Sequence, residues 1–398
     1  MSLADTNLFK PIKVGGVTLK NRLVYPPTTR FRNGDDFVAT DSFLLYYKQR
    51  AADNGGLLIV EATAPAPGFG LYANEPVIDN ERQVEAFRQV VEAVHSEGSF
   101  ISLQIWGLGR TADAALLKKN GLPLIAPSAI YYNEATKKAA EEAGNPIRAL
   151  TIEEIHSFVK GFADGAKKAI KVAKFDFIEI HAAHGYLVDQ FTNAVSNTRT
   201  DEYGGSIENR ARFLLEVVDA VTEAVGAEHV GIRLSPYATF QGIEGVGAKI
   251  NPIVTYGYIL SELERRAKEG KRLAYLSFVE PRVSGPDDVS NPPKVDSSWV
   301  NEIWKGPIIR SGAFLHDEGY SELRKFVGAD DRTLIGVSRY YTSNPDLASR
   351  LRNGYPLTHY DRPTFYTSGT NRGYLTFARY GEKIDEEKVL EKVPKVLA

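Results

Sequence analysis

Apolar and polar positions along the chain alternate in two rhythms: short, nearly continuous apolar runs, and longer stretches with helical spacing. The runs near 22–26, 57–62, 100–105, 176–180, 230–234, 273–278, 307–310 and 333–336 predict strands. Leu57-Leu-Ile-Val60 and Phe175 to Ile180 are apolar almost throughout, as parallel strands covered on both faces are. Helical patterns between and after them fall near 42–53, 80–97, 151–173, 206–225, 254–269, 296–304, 316–326 and 345–352. Eight strand–helix pairs in regular alternation predict an α/β chain folded as a (β/α)8 barrel, not an open three-layer sheet. Ahead of the first strand, Ile12-Lys-Val14 and Val17-Thr-Leu19 flank Gly15-Gly16, a two-residue hairpin signal. This hairpin, over about 12–19, is expected to plug the lower end of the barrel.

Two connections exceed what linking a strand to a helix requires. One follows the third strand, from about 107 to 150, and the other runs from Glu280 to Asp296 after the sixth. Both leave the C-terminal ends of strands, where they can roof a pocket. Lys137 to Glu142 reads as a short solvated helix, and Glu382 to Lys395 as a peripheral helix within a C-terminal segment of about 360–398. With no repeat and no interdomain linker, residues 1–398 read as one domain.

Composition narrows the chemistry. The chain has 398 residues, 43% hydrophobic and 25% charged, with net charge −2, a balance that argues against a nucleic-acid partner. It has no cysteine, which excludes disulfides, thiolate metal sites, a cysteine nucleophile and protein-ligated iron–sulfur clusters. No apolar run approaches a membrane span and the start lacks a signal pattern, so the expected location is cytoplasmic, with no membrane partner.

In a parallel barrel, residues at the C-terminal ends of the strands share one face. Here they are Thr29, Glu61, Gln104 with Trp106, then His181, His184 and Tyr186, followed by Arg233, Glu280, Ser311-Gly312 and Arg339. The His–Tyr cluster supplies hydrogen-bond donors and a proton source. HxxH can equally be half of a metal site, but no third ligand stands at the matching spacing. Ser311-Gly312 after the seventh strand and Gly336-Val-Ser338-Arg339 after the eighth fit a barrel's phosphate position. Taken singly, Arg233 could instead be a structural ion pair with Glu280 or Glu61, Gln104 a core amide and Arg339 a surface charge. Together they suit a planar heteroaromatic cofactor with an anionic tail. Gly107-Leu-Gly109-Arg-Thr-Ala112 satisfies GxGxxA after a strand, but no amphipathic helix and no acidic residue follow where a dinucleotide turn needs them.

These motifs resemble the old yellow enzyme family of FMN-dependent ene-reductases, and its yeast members above all. The resemblance runs from Asn7-Leu-Phe-Lys-Pro-Ile through Pro26-Pro-Thr-Thr-Arg30, Leu103-Gln-Ile-Trp106 and the long, specific stretch Ser196 to Arg210. Leu276 to Val283, Ile335 to Arg339 and Asp361 to Tyr366 continue it. It implies non-covalent FMN, NADPH as reductant, and activated alkenes and phenols as small-molecule partners; the oligomeric state, a homodimer included, is left open. Thr29 is implied at flavin O4, Gln104 at the pyrimidine edge, Arg233 beside N1/O2, and Gly312 and Arg339 at the phosphate. Pro27, Thr28, Ala62, Ser311, Gly336 and Ser338 complete the implied cofactor site. His181 and His184 match the pair that holds a substrate carbonyl or nitro oxygen, and Tyr186 the proton donor. Tyr72, Trp106, Phe240, Phe365 and Tyr366 match pocket or flavin-edge positions.

The chain also departs from the family pattern. His184 stands where brewer's-yeast-type members carry Asn, and Pro286-Asp287-Asp288 where an aromatic residue is common. A dienoyl-CoA reductase reading lacks its cysteine cluster. A metal-dependent barrel hydrolase using His181 and His184, or a non-catalytic flavin- or ligand-binding protein, remains as an alternative.

Overall fold

The eight apolar runs become parallel strands: Leu23–Tyr25, Leu57–Thr63, Phe100–Ile105, Phe177–Ala182, Val230–Leu234, Tyr275–Val279, Ile308–Ser311 and Thr333–Gly336. Each pairs with its successor and the eighth with the first, closing a (β/α)8 barrel. The computed structural model describes the chain apart from Asp53, Pro286, Ser290 and Ala398 and the side chains of Ser284, Asp287 and Asp288.

Strand alternation divides the apolar residues between two cores. Ile178 and Ile180 pack into the larger cluster between barrel and helices, which also takes Phe162, Leu214 and Val217. Phe177 faces inward with Tyr275, Ile309 and Leu334. The hairpin Ile12–Val14/Val17–Leu19 adds Ile12, Val14 and Leu19 to this inner cluster, so it closes the bottom of the barrel. At roughly 1.5–3 kcal/mol for each fully buried aliphatic side chain, the plug contributes materially to stability.

The helices start where capping chemistry dictates. Asn80 and Thr151 each form a reciprocal capping box, opening Glu81–His95 and Ile152–Lys167. Two expectations shift. The helix expected at 316–326 is Ser321–Ala329, because the Asp317 carboxylate accepts the Ser321 N–H at 2.9 Å and Tyr320 turns left-handed (φ 51°) just before it. The helix expected over Glu382 to Lys395 shrinks to Glu386–Leu390. Pro394 disfavours helix in the residue before it, and the chain beyond runs extended, with Val396 bridging Thr40.

The long connections are structured. The first contains helices Ala114–Lys119 and Glu134–Glu142 and a two-strand pair, Ile125–Ala126 with Arg148–Ala149. Helix Ala114–Lys119, starting just after Gly107–Ala112, corrects the expectation that no amphipathic helix, only a Gly/Pro-interrupted loop, follows there. Arg199, from the stretch that carried the resemblance most strongly, donates to the Pro127 and Leu150 carbonyls at 2.8 and 2.6 Å. Asn197 donates to Phe191 and Tyr203 carbonyls, both at 2.7 Å. That motif is a brace holding the roof, not part of the pocket wall. Among the described residues, no helix is long and apolar enough to cross a membrane.

Candidate active site

Strand register builds the floor of a cavity of about 1030 Å³ at the C-terminal rim. Gln104 lies opposite Glu179, His181 opposite Arg233, Arg233 opposite Ser277, and Ser311 opposite Gly336. Glu179 and His181, two apart on one strand, therefore point the same way. Gln104 Nε2 donates to Glu179 Oε1 at 2.7 Å, leaving its carbonyl oxygen as the group offered to the cavity. Arg233 Nη1 donates to Ser277 Oγ at 3.0 Å. Burial pushes the Glu179 carboxyl up to about 7, against the opposing pull of Arg233 and Gln104.

Two rim carboxylates serve the framework instead. Glu280 pairs with buried Arg310, and Glu61 accepts the Arg30 and Phe31 N–H groups at 3.0 and 3.2 Å. Neither Glu61 nor Glu280 lines the cavity, and the carboxylate whose charge acts on Arg233 is Glu179.

Where the seventh and eighth strands end, Ser311, Gly312, Gly336, Ser338 and Arg339 line one end of the cavity. Ser311 Oγ is buried there without a protein partner. A Cβ on Gly336 would lie 2.2 Å from that oxygen, and one on Gly312 would lie 2.6 Å from Glu280 Cβ, so only glycine keeps this end open. The Thr28 hydroxyl bridges the Pro26 carbonyl (2.9 Å) and Ser338 Oγ (2.8 Å), joining the first strand's loop to the eighth's. Pro27, Thr29 and Ala62 continue that wall.

Beyond the fourth strand the chain turns sharply. His184 adopts φ 57° and its N–H donates to Ser235 Oγ at 2.8 Å; the Gly185 N–H donates to Asp189 Oδ2 at 2.9 Å. This turn gathers the side chains. The His181 ring lies 6.1 Å from His184 and 4.9 Å from Tyr186, while Trp106 lies 4.6 Å from Tyr186. Both imidazoles are buried and each has an Nδ1 without a protein partner. Burial first, then the Arg233 charge, lowers His184 to about 3. Burial, His184 and Arg233 hold His181 well below the usual imidazole range. Two neutral rings result. Burial also raises the Tyr186 phenol above its ordinary range, while the neighbouring Gln241 amide pulls the other way.

The sequence profile of the family described as NADH:flavin oxidoreductase / NADH oxidase matches residues 7–358. The chain belongs to this family. A solved old yellow enzyme from a Pichia species is 61% identical over the whole of both chains, with a TM-score of 0.95. A probable NADPH dehydrogenase of Candida albicans is 48% identical over 381 residues, covering 94% of this chain and 91% of that one. Enoate reductase 1 of Kluyveromyces lactis is 42% identical over 392 residues, covering 96% of each. This member of the NADH:flavin oxidoreductase family is thus an FMN-family enzyme of the old yellow enzyme type.

All the cofactor and pocket residues read from the sequence line this one cavity, including Tyr72, Phe240, Phe365 and Tyr366. The last two reach it because Arg30 pins the C-terminal segment. Its guanidinium donates to the Phe365 carbonyl at 3.0 Å and the Gly373 carbonyl at 2.7 Å. The segment from about 360 is therefore peripheral only in its later part. Pro286 and the Asp287 and Asp288 side chains lie outside the described residues. Residues not singled out from the sequence also belong to this cavity: Phe31, Tyr132 and Gln241 line it, and Glu179 accepts the Gln104 amide. Glu179 left a signal, a carboxylate in an apolar strand in phase with His181. Gln241 left little, because its left-handed backbone (φ 56°) carries no glycine to mark it.

Proposed function

We propose that this enzyme is an ene-reductase that uses non-covalently held FMN and NADPH to reduce the C=C bond of activated alkenes: enones, enals, nitroalkenes and maleimides. One observation carries the reading: two neutral imidazoles and a protonated phenol converge in the cavity whose other wall is Gln104, Arg233 and the Ser311/Arg339 end. The relatives named NADPH dehydrogenase and enoate reductase support it.

The residues fit the cofactor. Ser311 Oγ, buried and unpartnered, and the space kept by Gly312 and Gly336 suit a phosphate, with Arg339 beside them as a charge-assisted donor. The Gln104 carbonyl oxygen, turned outward by Glu179, suits an imide N–H, and Thr29 and Arg233 suit the flavin's carbonyl edge. When bound, FMN would supply the two-electron hydride chemistry that links NADPH to the alkene.

The protein does the rest. NADPH and alkene must use the same cavity in turn, which gives a ping-pong order. His181 and His184, being neutral, each donate one N–H to the substrate's carbonyl or nitro oxygen and stabilise negative charge there as the alkene is reduced. Tyr186 gives its proton to Cα from the face opposite the cofactor, for net anti addition. Arg233, which lines the cavity, would help hold the cofactor and would offer it a fixed positive charge.

The metal-hydrolase alternative needs a third ligand, and among the described residues no three His, Asp or Glu side chains gather to hold a metal ion. The test is direct. Denatured protein should release a yellow, phosphorylated flavin; protein that is colourless and stays so after incubation with FMN sinks the proposal.

A further inference from the structure

Tyr186 carries a difficulty that its own chemistry does not resolve. A buried phenol is a reluctant acid, because the phenolate left after proton transfer is desolvated. The hydroxyl therefore needs a partner that donates to its oxygen and leaves its hydrogen free. Gln241 is the neighbour that can serve, because its side-chain amide opposes the rise that burial gives the phenol. Both line the same cavity, and the Gln241 side chain starts against the turn that carries Tyr186: a Cβ on Gly185 would lie 3.1 Å from Gln241 Cβ.

Gln241 is also held there at a cost. It is a non-glycine residue in the left-handed region (φ 56°), a conformation that persists only where the surroundings impose it. Arg110 imposes it, donating Nη2 to the Gln241 carbonyl at 3.0 Å and the Gly242 carbonyl at 3.3 Å. Gln241 Oε1 is buried without a partner. The amide is therefore not anchored through its oxygen, and its NH2 group is the end that can serve the phenol.

We infer that Gln241 is a positioning residue for proton donation: its amide N–H donates to Tyr186 Oη, aims the phenolic hydrogen at the substrate, and stabilises the phenolate that remains. This rests on the proposed ene-reductase chemistry. The proton moves from Tyr186 Oη to Cα, the O–H bond breaking as C–H forms, and solvent later restores it.

The test measures the two half-reactions of the FMN-loaded protein separately by anaerobic stopped flow. Gln241→Leu should slow reoxidation by a simple enone on the order of tenfold to hundredfold, the worth of one hydrogen bond to a charged group. Reduction by NADPH should change much less. In a Tyr186→Phe background, Gln241→Leu should add almost nothing, a coupling that a merely structural role would not show. Gln241→Glu should make enone reoxidation fall with rising pH, because the neutral acid can donate to the phenol and the carboxylate repels the phenolate. An independent readout is fluorine NMR of protein carrying fluorinated tyrosine, with residue 186 assigned by Tyr186→Phe. Its ionisation should move to higher pH in Gln241→Leu. Additive losses in the double variant, or an unmoved ionisation, overturn the inference while the ene-reductase reading stands. A parent that NADPH cannot reduce, or that an enone cannot reoxidise, overturns both.

Discussion

Gly336→Ala tests the phosphate end of the cavity with a single methyl group. The added Cβ would fall 2.2 Å from Ser311 Oγ, far inside contact distance, but 3.4 Å from both Ile309 Cγ2 and Ser311 Cβ, which is tolerable. The only severe clash is thus with a hydroxyl that can rotate away, so the barrel should fold. That hydroxyl is the buried, unpartnered oxygen assigned to the phosphate. Displacing it removes one hydrogen bond to a charged group, worth about 1.5–3 kcal/mol, or roughly tenfold to 150-fold in FMN affinity. The assay is quenching of flavin fluorescence on titrating apoprotein, run in parallel with FMN and with riboflavin. Riboflavin, which lacks the phosphate, should lose little. In a Ser311→Ala background the methyl meets nothing closer than 3.4 Å, so Gly336→Ala should then cost FMN almost nothing more. Equal losses for FMN and riboflavin, or full additivity with Ser311→Ala, would refute the assignment.

Other outcomes follow from the same geometry. His184→Asn should keep alkene reduction but change phenol affinity, since an amide donor replaces an imidazole one; His181→Ala with His184→Ala should lose phenol binding, read by the long-wavelength absorbance of the phenol complex, while FMN stays bound. Because His184 titrates at about 3 and His181 well below its ordinary value, both rings are neutral over roughly pH 5–8, and the rate of enone reoxidation should show no imidazole ionisation there. Lowered imidazole pKa values mean the unfolded chain takes up protons first, so stability from these buried rings should fall as pH drops below the ordinary imidazole range toward about 3, measurable by denaturant titration. Glu280→Ala strands the Arg310 guanidinium, 1% exposed, and should cost about 3–5 kcal/mol of unfolding free energy.

The barrel was legible because parallel strands covered on both faces read as apolar runs, and Leu57 to Val60 or Phe175 to Ile180 admit little else. The His181–His184–Tyr186 cluster stood out because three ionisable groups follow such a run directly. What escaped depended on pairing across strands. Glu280 and Glu61 sit at strand ends just as Gln104 does, yet one is taken by Arg310 and the other by backbone N–H groups. Only the register separates framework carboxylates from cavity residues. Glu179 stood out as a carboxylate in phase with His181, but its partner Gln104 lies on the neighbouring strand and only the register joins them. The helix ends at Ser321 and Leu390 moved because a carboxylate and a proline set them, locally and without periodicity. The motif from Ser196 to Arg210 identified the chain most specifically and yet sits outside the cavity, since it braces the roof over it.

If one cavity passes reducing equivalents from NADPH to an activated alkene, with Tyr186 completing the addition, isotope labelling must show it. The purified yellow protein is reduced anaerobically with NADPH deuterated at the transferred position, and a simple cyclic enone is then added. Yellow absorbance should be lost and then restored stoichiometrically, with deuterium at Cβ of the saturated ketone and solvent hydrogen at Cα on the opposite face. Flavin that stays reduced in the presence of the enone, or product with both hydrogens on one face, would contradict it.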